Sequence, residues 1–352
     1  MSDPVSAVAI ASAEAQAQAQ PQPQGICGLI NLGNTCYLNA SIQILRSIPE
    51  WAAFCTELDP AKSCAAPESK EARMLKSYSD LTRGMWAQIK PMTCRPALFL
   101  KDLRAAVKGT IYEQFGQPIP NDGHEFMQYM LDQFHEALKT AGPVAAEEAT
   151  DAVKAWCDIW RRDYSPLVNM VFGLDRVRCI CQSCGHTSTR FETFNMLKVN
   201  IGANGESFSD MLQAEREPTD IEEYACDKCA PVRRPARIVR DFWRLPRNLM
   251  VVFRRFNENR TKIQRAAPNC SRVEFQPFFA AETPDESSGW TYESIATLDH
   301  LGSHMGGHYN AQTYNCVTKK WYFCDDTEVR ELTTGPQFGM TTYIVVLRRH
   351  ES

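Results

Sequence analysis

Apolar residues recur at helical spacing through the first half of the chain and at strand-like spacing through the second. Leu38, Ile42 and Leu45 fall four and three residues apart, which predicts an amphipathic helix starting near Cys36, with Asn34 and Thr35 as natural capping residues ahead of it. Asp122 and Glu125 stand three apart, as in a capping box, and Phe126, Met130 and Phe134 follow at four-residue spacing, predicting a helix over 122–138. Residues 144–160 carry another helical pattern. Past about Val168 the apolar runs become short, β-branched or alternating, and 197–201, 249–253 and 343–347 read as strands. A helical subdomain followed by a strand-rich one, with a site between them, is the simplest α+β arrangement for this order.

Residues 1–24 break the pattern with Ala-Gln and Pro-Gln repeats, a composition that buries too little to offset the entropy of ordering, so a disordered tail is expected there. From about Gly25 to residue 350 the chain reads as one globular unit. With 352 residues, 44% of them hydrophobic, it has ample material for a sizeable core. The net charge of -4 and the lack of a long basic run argue against nucleic acid and suit a basic protein partner better. No apolar run is long enough to span a bilayer, and the N-terminus lacks the charged start and apolar centre of a secretory signal. The expectation is an intracellular protein, of cytoplasm or nucleus, with a monomeric globular domain. Its 14 cysteines then read as reduced thiols, a metal site and one nucleophile.

Three groups of residues carry candidate chemistry. Cys36 sits where the Gly/Asn-rich stretch 28–35 becomes a helix, and the positive end of a helix dipole lowers a thiol pKa. The bland alternative is a buried cysteine that packs as a small hydrophobe. Cys181, Cys184, Cys226 and Cys229 form two Cys-x-x-Cys pairs, a four-thiolate pattern for one structural Zn2+, with Cys179 or His186 as possible substitutes for one ligand. His308 follows Gly306 and Gly307, and the β-rich run 321–326 ends in Asp325 and Asp326. Adjacent antiparallel strands would bring His308 to Asp325 as base and orienting group, whereas the alternative is a hairpin with an exposed histidine and two surface aspartates.

Taken together, these motifs resemble the ubiquitin-specific proteases, papain-like deubiquitinating cysteine peptidases. The resemblance runs from about Gly25 to Arg348: a Cys box over 28–45, paired Cys-x-x-Cys knuckles, a histidine box over 292–309, 321–326 and 343–347, and a 122–126 block similar to the family's Asp-Ala-His-Glu-Phe. It implies a helical thumb (about 25–165), then a β-rich palm and zinc-tipped β fingers (about 166–350). Cys36 would be the nucleophile, His308 the general base and Asp325 its orienting group, with Asn31 in the oxyanion hole and Asp326 assisting. Asp122, Gly307 and Tyr309 would touch substrate, and the partners would be ubiquitin and ubiquitinated proteins. Gly123 departs from the family's usual Ala, as do the prolines just before Asp122. A weakly active ubiquitin-binding protein, a zinc-dependent adaptor, and a protease for another ubiquitin-like modifier are the alternatives.

Overall fold

A computed structural model describes residues 24–203, 205–279, 290–303 and 306–350. The tail expected over 1–24 therefore lies outside the described residues, apart from Gln24.

The first half is helical. After a short strand β1 (Cys27–Leu29) come α1 (Cys36–Ser47), α2 (Pro49–Glu57), α3 (Pro60–Ser63) and α4 (Lys70–Trp86), then β2 (Met92–Cys94), parallel to β1, and α5 (Ala97–Val107). The chain continues through α6 (Gly123–Leu138), α7 (Asp151–Ile159) and α8 (Pro166–Val171). The helix expected over 144–160 is thus shorter, starting at Asp151. None of residues 143–150 is buried and Val144 is 80% exposed, so there is no face to bury until Ala152 and Trp156, and the Thr150 side chain caps the first turn at Val153 N. The expected amphipathic pattern of α1 is also corrected. All twelve of its residues are buried, because its polar face packs on protein rather than facing water. Gln43 donates to Cys27 O at 2.8 Å and Arg46 to Gly25 O at 2.8 Å, so buried polar groups tie this helix to the chain entering β1.

The second half is mostly β. Strands β3 (Gly173–Cys181), β4 (Thr187–Phe194), β6 (Thr219–Tyr224) and β7 (Arg234–Arg244) form a four-stranded antiparallel sheet in the order β4-β3-β7-β6, the fingers. The palm is a larger sheet. Its order is β13 (Glu328–Leu332), β12 (Lys320–Asp325), β11 (Gly306–Asn315), β10 (Thr291–Ser303), β14 (Thr342–Arg349), β8 (Asn248–Arg254) and β5 (Met196–Asn200), with β9 (Arg272–Glu274) also paired to β10. The strands expected over 197–201, 249–253 and 343–347 are β5, β8 and β14 within one or two residues. Among the described residues, one α-helix, α9 (Phe208–Arg216), interrupts the β half behind a Ser207/Asp210 capping box.

The runs in β8 and β14 are continuously apolar because both faces of the palm sheet are covered. Met250, Val252, Ile344 and Val346 point into the core shared with α1, α5 and α6, while Leu249, Val251, Val345 and Leu347 point the other way, into a second core with α9 and Phe275. Burying each such side chain contributes about 1.5–3 kcal/mol. The shared first core fixes the helical thumb against the palm, and the site lies along that seam.

Candidate active site

Cys36 opens α1 and is 7% exposed. The expected caps do not cap it: no side chain bonds the first turn, and Asn34 instead takes a left-handed φ of 53°. Thr35 Oγ1 accepts from Leu32 N at 2.8 Å and donates to Asn31 Oδ1 at 3.2 Å, so it serves the loop and not the helix. Amide groups at the helix start are therefore left for another acceptor. The expected lowering of the Cys36 pKa is also overturned. Burial pushes the thiol up and the nearby Asp326 charge adds to that, against backbone N–H groups of Tyr309 and Tyr37 that favour the thiolate.

The Tyr309 N–H places β11 directly over the sulfur, and His308 is the preceding residue of that strand. β11 and β12 are antiparallel, with Ala311 opposite Cys324, so Asp325 falls level with Asn310 and His308, two residues along on the same face, reaches it diagonally: Nε2 lies 2.5 Å from Oδ1. Both side chains are partly accessible, at 40% and 32%. The proposed hairpin thus becomes a histidine–carboxylate pair at the edge of a cleft. Asp326, with a left-handed φ of 48°, keeps a carboxylate oxygen within 4.8 Å of this pair, and its Oδ2 accepts from Asn31 Nδ2 at 2.9 Å and its backbone oxygen from Leu29 N at 2.7 Å. Asn31 Oδ1 in turn accepts from Gly33 N and Thr35 N at 3.0 and 3.1 Å. The Asn31 carboxamide is held at both ends.

A cleft of about 330 Å³ runs from Cys36 along the seam, lined from the thumb by Asp122 and Glu125 and from the palm by Phe256, His300, Gly307 and Tyr309. Asp122 caps α6, accepting from His124 N and Glu125 N, and also accepts from Tyr343 Oη at 3.0 Å, so its capping role holds while it faces the cleft. Gly123 donates its N–H to Tyr309 Oη at 3.1 Å, and a Cβ there would lie 3.0 Å from the Tyr309 ring, a tight contact that an alanine would relieve only by a small shift of the ring. Gly307 is pressed harder: a Cβ would come within 2.0 Å of Leu301 O and 2.5 Å of His300 Nε2. His300 was not singled out from the sequence. Burial, with Lys262 nearby, holds its pKa down to about 4, so the ring is neutral.

At the far end of the fingers the Cys181–Cys184 turn follows β3 and the Cys226–Cys229 turn lies between β6 and β7. The four sulfurs lie within 4.8 Å of one another, with Cys181–Cys229 at 3.9 Å and Cys184–Cys226 at 3.6 Å. Those separations are too long for disulfides and match the roughly 3.8 Å between sulfurs of a tetrahedron with metal–sulfur bonds of about 2.3 Å. This cluster could hold a metal ion. His186 and Cys179, the possible substitutes, are not in it.

The ubiquitin carboxyl-terminal hydrolase family model matches residues 27–346, and the chain belongs to that family. Among curated relatives it is 26% identical to ubiquitin carboxyl-terminal hydrolase Usp2 of Drosophila melanogaster over 93% of this chain and 35% of that protein. It is 25% identical to ubiquitin carboxyl-terminal hydrolase 2 of Rattus norvegicus over 92% of this chain and 54% of that protein. For hydrolase 5 of Saccharomyces cerevisiae the values are 25%, 89% and 43%. The chain therefore spans about a third to a half of the length of these relatives. Among solved structures, a chain of the SAGA DUB module bound to monoubiquitin superposes with a TM-score of 0.73 at 16% identity, covering 99% of this chain and 75% of that one. A second structure of the module, bound to ubiquitin aldehyde, gives 0.71 and 16%, over 99% and 74%. The overall fold is shared with them.

Among the described residues, no helix is long and apolar enough to cross a membrane.

Proposed function

We propose that this chain is a thiol-dependent deubiquitinase that hydrolyses the isopeptide or peptide bond after the C-terminal glycine of ubiquitin. The observation that carries this reading is the strand β11, whose Tyr309 N–H reaches the buried Cys36 at a helix start and whose preceding residue, His308, is bonded to Asp325, with Cys36 opening on a thumb–palm cleft. In this reading the globular unit 25–350 divides into a thumb over 25–165 and fingers and palm over 166–350, and it works as a monomer inside the cell.

A thiol whose pKa is raised by burial rests protonated, so it needs a base at the moment of attack. His308 takes that proton, and Asp325 steadies the imidazolium that forms. The Cys36 sulfur adds to the glycine carbonyl, and the oxyanion meets Asn31 and the uncapped amides at the start of α1, an arrangement worth on the order of 100-fold in rate per donor. His308 then protonates the departing amine, leaving a thioester, and activates the water that releases ubiquitin. Glycine suits the channel because His300, Gly307 and Tyr309 leave it narrow. Asp122 and Glu125 supply negative charge for an arginine-bearing substrate tail. At the fingertips Cys181, Cys184, Cys226 and Cys229 would hold one Zn2+, a closed site that fastens two turns and takes no part in the chemistry.

A fluorogenic ubiquitin C-terminal amide tests the reading directly. Hydrolysis by the wild type and its loss in Cys36→Ala and His308→Ala are expected; equal turnover by Cys36→Ala would sink it. Parallel labelling by C-terminally electrophilic ubiquitin and by other ubiquitin-like modifiers separates the proposed substrate from its relatives.

A further inference from the structure

Asn39 lies three residues after Cys36 on α1, hence on the same side of the helix, and is 2% exposed. Its Nδ2 donates to Asp326 Oδ1 at 2.7 Å and approaches Leu29 O at 3.4 Å. Asp326 is thereby gripped by two carboxamides, Asn39 on Oδ1 and Asn31 on Oδ2. Asn39 Oδ1, meanwhile, is buried without a partner. A buried acceptor left unsatisfied is a cost that packing does not explain, and a mid-helix asparagine has no propensity advantage to offset it. The amide cannot relieve this by flipping, since its oxygen would then face the Asp326 carboxylate. What the residue accomplishes in this orientation is to fix that carboxylate.

The consequence falls on Asn31. An amide nitrogen has two N–H donors; one of those on Asn31 is taken by Asp326, and the carboxamide oxygen is taken by the loop at Gly33 and Thr35. The direction of the second N–H is thus set by where Asp326 stands. We propose that Asn39 is a positioning residue for acyl transfer: through Asp326 it locks the Asn31 carboxamide so that its second N–H meets the oxyanion. This rests on the deubiquitinase reading above, with Asn31 as an oxyanion donor.

The test is a double-mutant cycle on the fluorogenic ubiquitin amide, read as separate kcat and KM. Asn39→Leu keeps the side-chain volume and removes both the donor and the orphan acceptor, so the protein should unfold in urea no earlier than wild type. Its kcat should fall about tenfold or more with KM within twofold, and Asn39→Ala should behave alike. Asn31→Ala should fall about 100-fold, and adding Asn39→Leu to it should cost less than a further twofold. Wild-type kcat in Asn39→Leu, or a loss that persists undiminished on the Asn31→Ala background, would overturn the proposal. Full activity in Asn31→Ala would overturn it through its oxyanion premise. Inactivity of the wild type itself would count against the deubiquitinase reading instead.

Discussion

Cys36 illustrates what a residue's sequence position does and does not determine. Its place at a helix start was legible from the turn residues before it and the spacing after it, and so was the meeting of His308 with Asp325. Its ionisation was not, because burial and the Asp326 carboxylate come from elements that close over it, the latter 290 positions along the chain. Both push the thiol up, whereas the helix start alone would lower it. The sign has a measurable consequence. If the thiol is protonated at rest, alkylation of Cys36 by iodoacetamide, followed by peptide mass mapping, should accelerate with pH and still be rising at pH 9. A rate that is already flat between pH 6 and 8 would mean a preformed thiolate–imidazolium pair. Asn39 was missed at this scale although it left a trace, a polar residue on the face of α1 that carries Cys36.

At the scale of elements, the strands of the palm were easy to read because two covered faces force uninterrupted apolar runs, while α1 was misread because its polar face serves the protein interior. Helix α7 was placed seven residues too early, since helix formers without a face to bury do not make a helix in water. The fingers show a third case. Their strands carry many charged residues, and only the Cys-x-x-Cys spacing announced that two distant turns meet. Those turns have little apolar burial of their own, so a bound Zn2+ would carry much of their local stability. Metal analysis should find about one zinc per chain, and both Cys181→Ser and Cys226→Ser should lose it. In these variants amide exchange should rise first in the 181–186 and 224–234 turns, while the palm strands stay protected. Full zinc retention in both would refute the ligand set.

At the scale of the whole molecule, the cleft exists because thumb and palm share one core and are stitched at its rim by a few polar contacts. Two of these meet at the start of α6, where Tyr343 Oη donates to Asp122 and Tyr309 Oη accepts from Gly123. Neither bond was visible in the sequence, since each joins residues more than 180 apart. They matter because the same Asp122 lines the channel, so one carboxylate caps a helix, closes the seam and, in the proposed reading, presents charge to substrate. Tyr343→Phe removes the seam bond while leaving the ring and the caps in place. A hydrogen bond to a charged acceptor contributes about 1.5–3 kcal/mol, and part of that will be recovered by water reaching the half-open cleft. Urea unfolding should therefore show a loss of about 1–2 kcal/mol. Since the His308–Asp325 pair on β11 and β12 is untouched, the kinetic effect should fall on binding, with KM for the ubiquitin substrate raised about fivefold, equivalent to about 1 kcal/mol, and kcat within twofold. An equal loss in kcat with unchanged KM would mean that the seam holds Cys36 against His308 and does not shape the channel, which would move the role of Asp122 from substrate to scaffold.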